Sequence, residues 1–396
     1  MATERVDLLI VGAGPAGLST ALHLVAADPA WVERMLVVEK AVHPRRKLCA
    51  GGITGPGLEI LERLDLDLGT TAAPVAELRL RYGAGSLRLP ADPPFQVVCR
   101  EAFDAALVRQ AEERGVRIRQ GETVEGLARA GDRIEVATTR RRVSARAVVA
   151  GDGSNSAIRR QLVRLGWLPR SPSRPLARLL EVRRSATGGE PEFRRGLARF
   201  DFSTARDHGL QGYAWSFPSW VDGKPVLNSG IFDSRAAAGR RPAAIVRALA
   251  DFLEPTGSRA ADLDFRGFPI RTFAPDAPLA APGALLVGDA AGVDPLLGEG
   301  ISFALAYGEV AASALAGAHA RDDYALTSYK EAVLAHPLLG QLPGRAAWAR
   351  RLYRLQRPWQ QALVFRAFAA YASLRGLGGL GGPSGVLSTE SWRSRR

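Results

Sequence analysis

The N-terminal segment constrains this chain most. Val6-Asp7-Leu8-Leu9-Ile10-Val11, a short apolar run, meets the turn Gly12-Ala13-Gly14-Pro15-Ala16-Gly17. Residues 18–26 then carry helical spacing, and Met35-Leu36-Val37-Val38-Glu39 supplies a second apolar run. Together they read as a βαβ unit with a tight glycine turn. A helix N-terminus offers unpaired N–H groups, and glycine alone lets a pyrophosphate approach them closely. Glu39 stands 22 residues after Gly17, where an acid accepts hydrogen bonds from adenosine ribose hydroxyls and disfavours a 2′-phosphate. NADP is therefore not expected in this site. A glycine turn alone is a weak signal; strand, turn, helix, strand and acid in order point to a dinucleotide.

The chain has 396 residues, 46% hydrophobic and 23% charged, which suits two fused domains of about 100–200 residues each and excludes a disordered or fibrous reading. No run of 18 or more uninterrupted apolar residues is present, so no membrane-spanning helix is expected. The N-terminus lacks the layout of a secretion signal. Two cysteines, Cys49 and Cys99, make no disulfide framework and fit a reducing cytoplasm. The five histidines show no metal-ligand spacing, so no metal is expected.

Later segments alternate in texture. Residues 75–98 read as short strands, 100–114 as a helix, and 116–119, 133–138 and 142–150 as strands. Between 169 and 271 the runs 176–182, 197–202, 213–217 and 226–232 look like antiparallel strands, followed by a helix over 242–253. Ala284-Leu285-Leu286-Val287 reads as a buried strand and 300–318 as a helix. The expected architecture is α/β: a Rossmann-type domain over 1–74, 99–165 and 275–320, interleaved with a β-rich substrate domain over 75–98 and 166–274. C-terminal helices over 321–375 and a flexible tail over 376–396 complete it.

Two more turns carry chemistry. Val149-Ala150-Gly151-Asp152-Gly153-Ser154 and Val287-Gly288-Asp289-Ala290-Ala291-Gly292 each end a strand with an aspartate, and Asp289 is placed to bond a ribityl hydroxyl. Gly298-Glu299-Gly300-Ile301 then opens a helix whose N–H dipoles can stabilise an anionic reduced flavin. At this point the chain resembles the FAD-dependent oxidoreductases of the p-hydroxybenzoate hydroxylase fold. Gly12–Gly17, Arg100 in Cys99-Arg100-Glu101-Ala102-Phe103-Asp104, Asp152-Gly153 and Gly288-Asp289 match their FAD signatures in order, over roughly residues 5–320. The resemblance implies a resident FAD, NAD(P)H as a transient donor, and an FAD contact at Arg100. It sets Gly12, Gly14, Ala16, Gly17, Glu39, Lys47, Gly51, Arg100, Val124, Asp152, Gly153, Gly288, Asp289, Gly300 and Ile301 as cofactor-binding positions.

Two segments narrow the family. Lys47-Leu48-Cys49-Ala50-Gly51-Gly52 resembles the Cys-x-Gly-Gly loop of geranylgeranyl reductases, which lies beside the flavin ring. Tyr213-Ala214-Trp215-Ser216-Phe217-Pro218 is similar to their Tyr-x-Trp-x-Phe-Pro motif. On a strand Tyr213, Trp215 and Phe217 share one face, either a wall for a long hydrocarbon or an ordinary aromatic core. The resemblance implies Cys49, Tyr213 and Trp215 as catalytic residues and Tyr213, Trp215, Phe217 and Pro218 as substrate contacts. Cys49 itself reads as a buried small residue, an acid or a redox thiol, and lacks the partner that dithiol chemistry needs. The expected activity is reduction of isoprenoid C=C bonds with hydride from NAD(P)H through flavin. A monooxygenase acting on an aromatic or polyketide-like substrate uses the same FAD residues, and a non-catalytic scaffold is the third reading.

The net charge is +13, and only four of the 53 basic residues are lysine. Residues 332–389 contain no acid, while arginines alternate there with Trp348, Leu352, Tyr353, Trp359, Leu363, Phe365, Phe368 and Tyr371. No nucleic-acid-binding motif accompanies this charge, so nucleic acid is not an expected partner. The segment suits an interfacial helix at the inner face of a membrane or a helical cap on the substrate domain.

Overall fold

The computed structural model describes residues 3–83, 85–170, 176–237, 244–256, 264–355 and 357–375, with backbone alone at 93 and 368–375. Two sheets of eight strands organise the chain. In the first, Thr3–Val11 pairs parallel with both Met35–Glu39 and Arg142–Ala150. Ala284–Leu286 adds parallel to Arg142–Ala150, and Ile118–Gln120 to Met35–Glu39. Leu8, Leu9 and Ile10 are all buried, because helices cover both faces of such a sheet. Val124–Ala130 and Arg133–Thr138 extend it as an antiparallel ribbon.

The second sheet runs Arg266–Ile270, Ala177–Ser185, Lys224–Asp233, Gly212–Val221, Leu197–Asp201, Ala73–Tyr82, Gly85–Val97 and Gly52–Ile53. It is antiparallel except where Leu197–Asp201 lies parallel to Ala73–Tyr82. Residues 75–98 form two long strands rather than several short ones, paired as a hairpin with a bulge between Val75 and Glu77. The strand expected over 197–202 stops at Asp201, whose carboxylate accepts from the Ser203 and Thr204 N–H groups at 2.8 and 3.0 Å and starts a helix at Phe202. Such a cap satisfies N–H groups that a helix start leaves open. The short strand Gly52–Ile53 joins the second sheet, although it lies within the segment assigned to the first domain.

Ile301–Arg321 is long and apolar enough to cross a membrane, but 72% of its most apolar window is buried in the fold. It packs on Pro15–Ala27 through small residues; the Ser19 hydroxyl donates to the Leu305 carbonyl at 2.7 Å. It is a core helix that brings Gly300 toward the glycine turn. The helix expected over 242–253 begins at Ile245, with 242–243 outside the described residues, as is the tail over 376–396.

Leu342–Leu352 and Pro358–Arg375 form the C-terminal helices. Phe365 stacks on Tyr82 with ring centres 5.0 Å apart and lies 4.8 Å from Phe202. Buried Gln361 accepts from Arg206 at 3.2 Å. One face of this segment is thus a cap on the second sheet. Its other face leaves Trp348, Trp359 and Leu363 exposed, at 54%, 60% and 62%.

Candidate active site and cofactor cleft

The glycine turn closes three elements on one another. A Cβ on Gly17 would stand 2.0 Å from the Gly12 carbonyl oxygen, and one on Gly12, at φ +108°, 2.4 Å from that of Gly151. Gly14 differs: a Cβ there would meet only the Arg45 guanidinium, at 3.7 Å. Space therefore opens above the N-terminus of Pro15–Ala27, where no acid occupies the first turn and no side chain caps the helix. Glu39, buried at the end of its strand, accepts from the Ala13 N–H at 2.8 Å and the Ala41 N–H at 2.9 Å. Each of its oxygens keeps a second lone pair for a ribose hydroxyl. Val124 starts its strand two residues after Glu122, whose N–H donates to the Glu39 carbonyl at 2.9 Å.

Asp152 and Gly153 follow directly on Gly151. The Asp152 Oδ2 accepts from the Ala157 and Ile158 N–H groups at 2.7 and 3.1 Å, and its Oδ1 is buried with no hydrogen-bond partner among the described residues. Burial raises this carboxyl above its ordinary range. Gly288 lies against Ala16, where a Cβ would come within 2.7 Å of the alanine methyl. A glycine-lined helix start under a guanidinium, a buried acid at the strand end and an orphaned carboxylate oxygen are what a dinucleotide's pyrophosphate, ribose and linker require.

Arg100 opens the helix Arg100–Glu113 and is buried. Its fork closes on Asp104 at 2.8 and 2.9 Å, and Arg45 reaches the same carboxylate at 3.2 Å. Asp104 holds the Arg100 charge firmly against its burial. Arg45, which the sequence reading did not single out, therefore stands between the Gly14 turn and Arg100. Asp289 accepts from the Ser154 hydroxyl at 2.8 Å, lies 4.0 Å from the Lys47 ammonium, and would meet a Cβ on Gly300 at 4.0 Å. Lys47 stacks over the Phe268 ring at 3.9 Å, and burial lowers its pKa. Ile301 is buried one residue beyond Gly300.

Cys49 joins this cleft to the second sheet. Its N–H donates to the Glu181 Oε2 at 2.6 Å, and its carbonyl accepts from the Asn228 Nδ2 at 3.0 Å. The Asn228 Oδ1 in turn accepts from the Trp215 indole N–H at 3.1 Å. Gly51 donates its N–H to the Cys49 sulfur at 3.4 Å. Tyr213, Trp215 and Phe217 share one buried face of Gly212–Val221, with Phe200 5.2 Å from Tyr213 and 5.1 Å from Phe217. The indole lies across Gly230 of the neighbouring strand, where any Cβ would come within 2.3 Å of the ring. Pro218 does not join them. The two-residue alternation turns it to the opposite face, opposite Leu227, and its missing N–H is tolerated because the pairing to Leu197–Asp201 ends at Ser216.

The turn 294–297 ties these parts to the C-terminal cap. Asp294 accepts from the Leu296 and Leu297 N–H groups at 2.8 and 3.0 Å. The Tyr213 hydroxyl donates to the Leu297 carbonyl and that of Tyr353 to the Leu296 carbonyl. Arg345 spans Asp294 at 2.9 Å and Glu299 at 3.0 Å, so this arginine of the acid-free segment points inward. None of Asn228, Glu181, Asp294 or Arg345 stood out in the sequence, because each acts through partners dozens of positions away.

A family described as an FAD binding domain matches residues 5–165. The chain is 28% identical over 336 residues to the menaquinone reductase of Mycobacterium tuberculosis, covering 79% of this chain and 77% of that one. It is 29% identical over 338 residues to digeranylgeranylglycerophospholipid reductase 1 of Methanopyrus kandleri, covering 80% and 82%. The chain is an FAD-dependent oxidoreductase similar to reductases of the geranylgeranyl type. Among solved structures, a geranylgeranyl bacteriochlorophyll reductase-like protein of Thermoplasma acidophilum shares this chain's fold with a TM-score of 0.66 at 21% identity, over 90% of this chain and 92% of that one. The p-nitrophenol 4-monooxygenase of Pseudomonas putida does so with a TM-score of 0.70 at 19% identity, over 93% and 94%. The chain also carries a cavity of about 680 Å³ between the start of helix Arg100–Glu113 and the turn 221–223, lined by Thr70, Thr71, Cys99, Glu101, Arg183 and Trp220 among others.

Proposed function

We propose that this flavoprotein saturates C=C bonds of an isoprenoid chain with reducing equivalents from NAD(P)H. The observation that carries the reading is the junction of the two sheets, where the Cys49 loop is bonded through one asparagine to the aromatic face of Tyr213, Trp215 and Phe217. When bound, FAD supplies the hydride chemistry that no protein side chain provides. Arg45, Glu39 and Asp152 would hold its dinucleotide end, and Asp289, with Lys47 and the Gly300 helix start, its ring end. The aromatic face supplies a dry wall of matching polarity to a hydrocarbon, which matters because an isolated alkene is a poor acceptor and alignment must supply much of the rate. The Tyr213 hydroxyl is committed to the Leu297 carbonyl and burial raises its pKa, so it keeps its proton and acts as wall. The proton for the second carbon comes from the Cys49 thiol in this reading.

Incubating the dithionite-reduced protein without oxygen with a panel of unsaturated isoprenoids tests the proposal. Products heavier by two hydrogens per reduced bond support it. An unchanged panel, together with oxygen-dependent product carrying labelled oxygen, turns the assignment to a monooxygenase; protein that takes up no FAD leaves a scaffold.

The exposed side of the C-terminal cap belongs to the same proposal. Trp348, Trp359 and Leu363 stand out among the exposed Arg351, Arg354, Arg357 and Arg366, and aromatics beside arginines suit an anionic lipid surface. The two free cysteines suit the cytoplasmic side of such a surface.

A further inference from the structure

We propose that Asn228 and Glu181 are positioning residues that fix the Cys49 peptide relative to Trp215, an inference that rests for its catalytic consequence on the reductase reading above. The two peptide groups that flank Cys49 are each gripped by a side chain of the second sheet: its N–H by Glu181 at 2.6 Å and its carbonyl by Asn228 at 3.0 Å. Cys49 lies in the loop between the first sheet's strand Met35–Glu39 and the second sheet's Gly52–Ile53, with no strand partner of its own.

The Asn228 amide can stand only one way round. Its oxygen must face the indole N–H of Trp215, a donor without acceptor capacity, and its nitrogen must face the Cys49 carbonyl. One planar group thereby sets the spacing between the loop and the aromatic face through two hydrogen bonds in series. Asn228 and Glu181 are both almost fully buried, at 4% and 1% exposure. Burying an amide and a carboxyl costs free energy unless each is bonded, and a leucine in either place would strand the Cys49 main-chain groups and the Trp215 indole N–H that they satisfy. Satisfying those groups from two rigid strands also fixes where the Cys49 main chain lies.

The Glu181 grip is itself anchored. Its second oxygen stands 3.3 Å from the Arg183 Nε, and Arg183 is held by both oxygens of Glu101, at 3.1 and 2.9 Å. A line of contacts thus runs from Glu101 and Arg183 in the wall of the cavity, through Glu181, to Cys49, Asn228 and Trp215. The thiol hangs from this main chain, so its place follows from the grip, while the Gly51 N–H meets the sulfur from the loop side.

The test uses the full FAD-loaded chain and reads Cys49 directly, by the rate of iodoacetamide labelling mapped by mass spectrometry apart from Cys99. Glu181→Leu and Asn228→Leu are expected to change that rate by about tenfold or more and to lower kcat by a similar factor with KM within about threefold. Glu181→Gln keeps an acceptor for the Cys49 N–H and should restore both values to within about threefold of the parent. Labelling unmoved in the leucine variants at native melting temperature overturns the proposal, as does a glutamine variant that falls as far as leucine. If the leucine variants do not fold, hydrogen exchange in the parent decides: a protected Cys49 amide supports the grip, and one exchanging as fast as those of exposed loops overturns it. The two readings fail separately. Labelling that shifts while the parent reduces no isoprenoid sinks the reductase reading alone; active parent with unmoved labelling sinks the positioning role alone.

Discussion

The two ends of the cleft are built by different means. At the glycine turn, main chain meets main chain, and Gly17 and Gly12 each leave no room for a single added carbon. At the Cys49 end the side chains of Glu181, Asn228, Tyr213, Trp215 and Tyr353 bond one another or main-chain groups of Cys49, Leu296 and Leu297, and Cys49 itself is only half-buried. The first end tolerates almost no change of residue type but needs few residues. The second tolerates change of type wherever the hydrogen bonds survive, and needs residues from the whole length of the chain.

The sharpest way to break that comparison is within the turn. Gly17→Ala should cost more than about 4 kcal/mol, by forcing strand and helix apart, and yield insoluble or colourless protein on purification. Gly14→Ala should leave apo stability within about 1 kcal/mol yet cut FAD affinity about tenfold or more, read by flavin fluorescence titration, because its Cβ points into open space beneath Arg45. If both variants behave alike, the turn is not divided into a packing glycine and a cofactor-facing one.

Next in size is Arg345→Met at the other end. It strands Asp294, whose side chain is fully buried, and Glu299, and breaking such a buried pair should cost about 3–5 kcal/mol. Urea unfolding of the FAD-loaded chain measures it; a loss below about 1 kcal/mol would mean that the pair is only a surface contact.

Glu181 gives a pH-dependent test. Burial pushes its carboxyl up to about 7 from the ordinary 4.5. Between those values the folded chain keeps a proton that the unfolded chain has released, so this group's contribution to stability falls as pH rises across the window and is level above it. The whole drop is at most about 3.5 kcal/mol, at about 1.4 per pH unit. Glu181→Gln removes the drop, so the variant should gain on the parent between about pH 5 and about pH 8 in urea midpoint. Parallel midpoints would show that Arg183 keeps the carboxylate charged throughout.

The smallest effect on stability is expected for Trp359→Ser with Leu363→Ser, within about 0.5 kcal/mol each. Their effect should appear instead in co-sedimentation with vesicles rich in phosphatidylglycerol, which the parent binds more strongly than phosphatidylcholine vesicles. Equal sedimentation of parent and variant removes the lipid-facing role.

This division also explains what was legible in the sequence. The turn, Glu39, Asp152 and Asp289 announce themselves because backbone geometry restricts each position locally, whatever the rest of the chain does. Tyr213, Trp215 and Phe217 were legible as one face through strand alternation, and the same alternation should have kept Pro218 out of that set. Asp201 shows the opposite case: an aspartate followed by Phe-Ser-Thr ends a strand by capping a helix, a signal present in the sequence and passed over. Asn228 and Glu181 carried no signal at all. An asparagine or glutamate inside a strand pattern acquires a role only when folding brings a loop from 132 or more positions away onto it. The inward turn of Arg345 was hidden the same way, by a charge-rich neighbourhood that reads as solvated until its partners at 294 and 299 are known.

Arg345 has one more implication, for how the protein is made. A ribosome releases the chain from its N-terminus, so the turn 294–297 and Glu299 emerge well before the arginine that neutralises them. Until translation passes that point, two carboxylates beside the nascent cleft repel each other and the segment behind Tyr213 is not closed. The finishing piece of the pocket is thus synthesised after the parts it closes, and a chain halted short of it has the parts of a flavoprotein without the clasp.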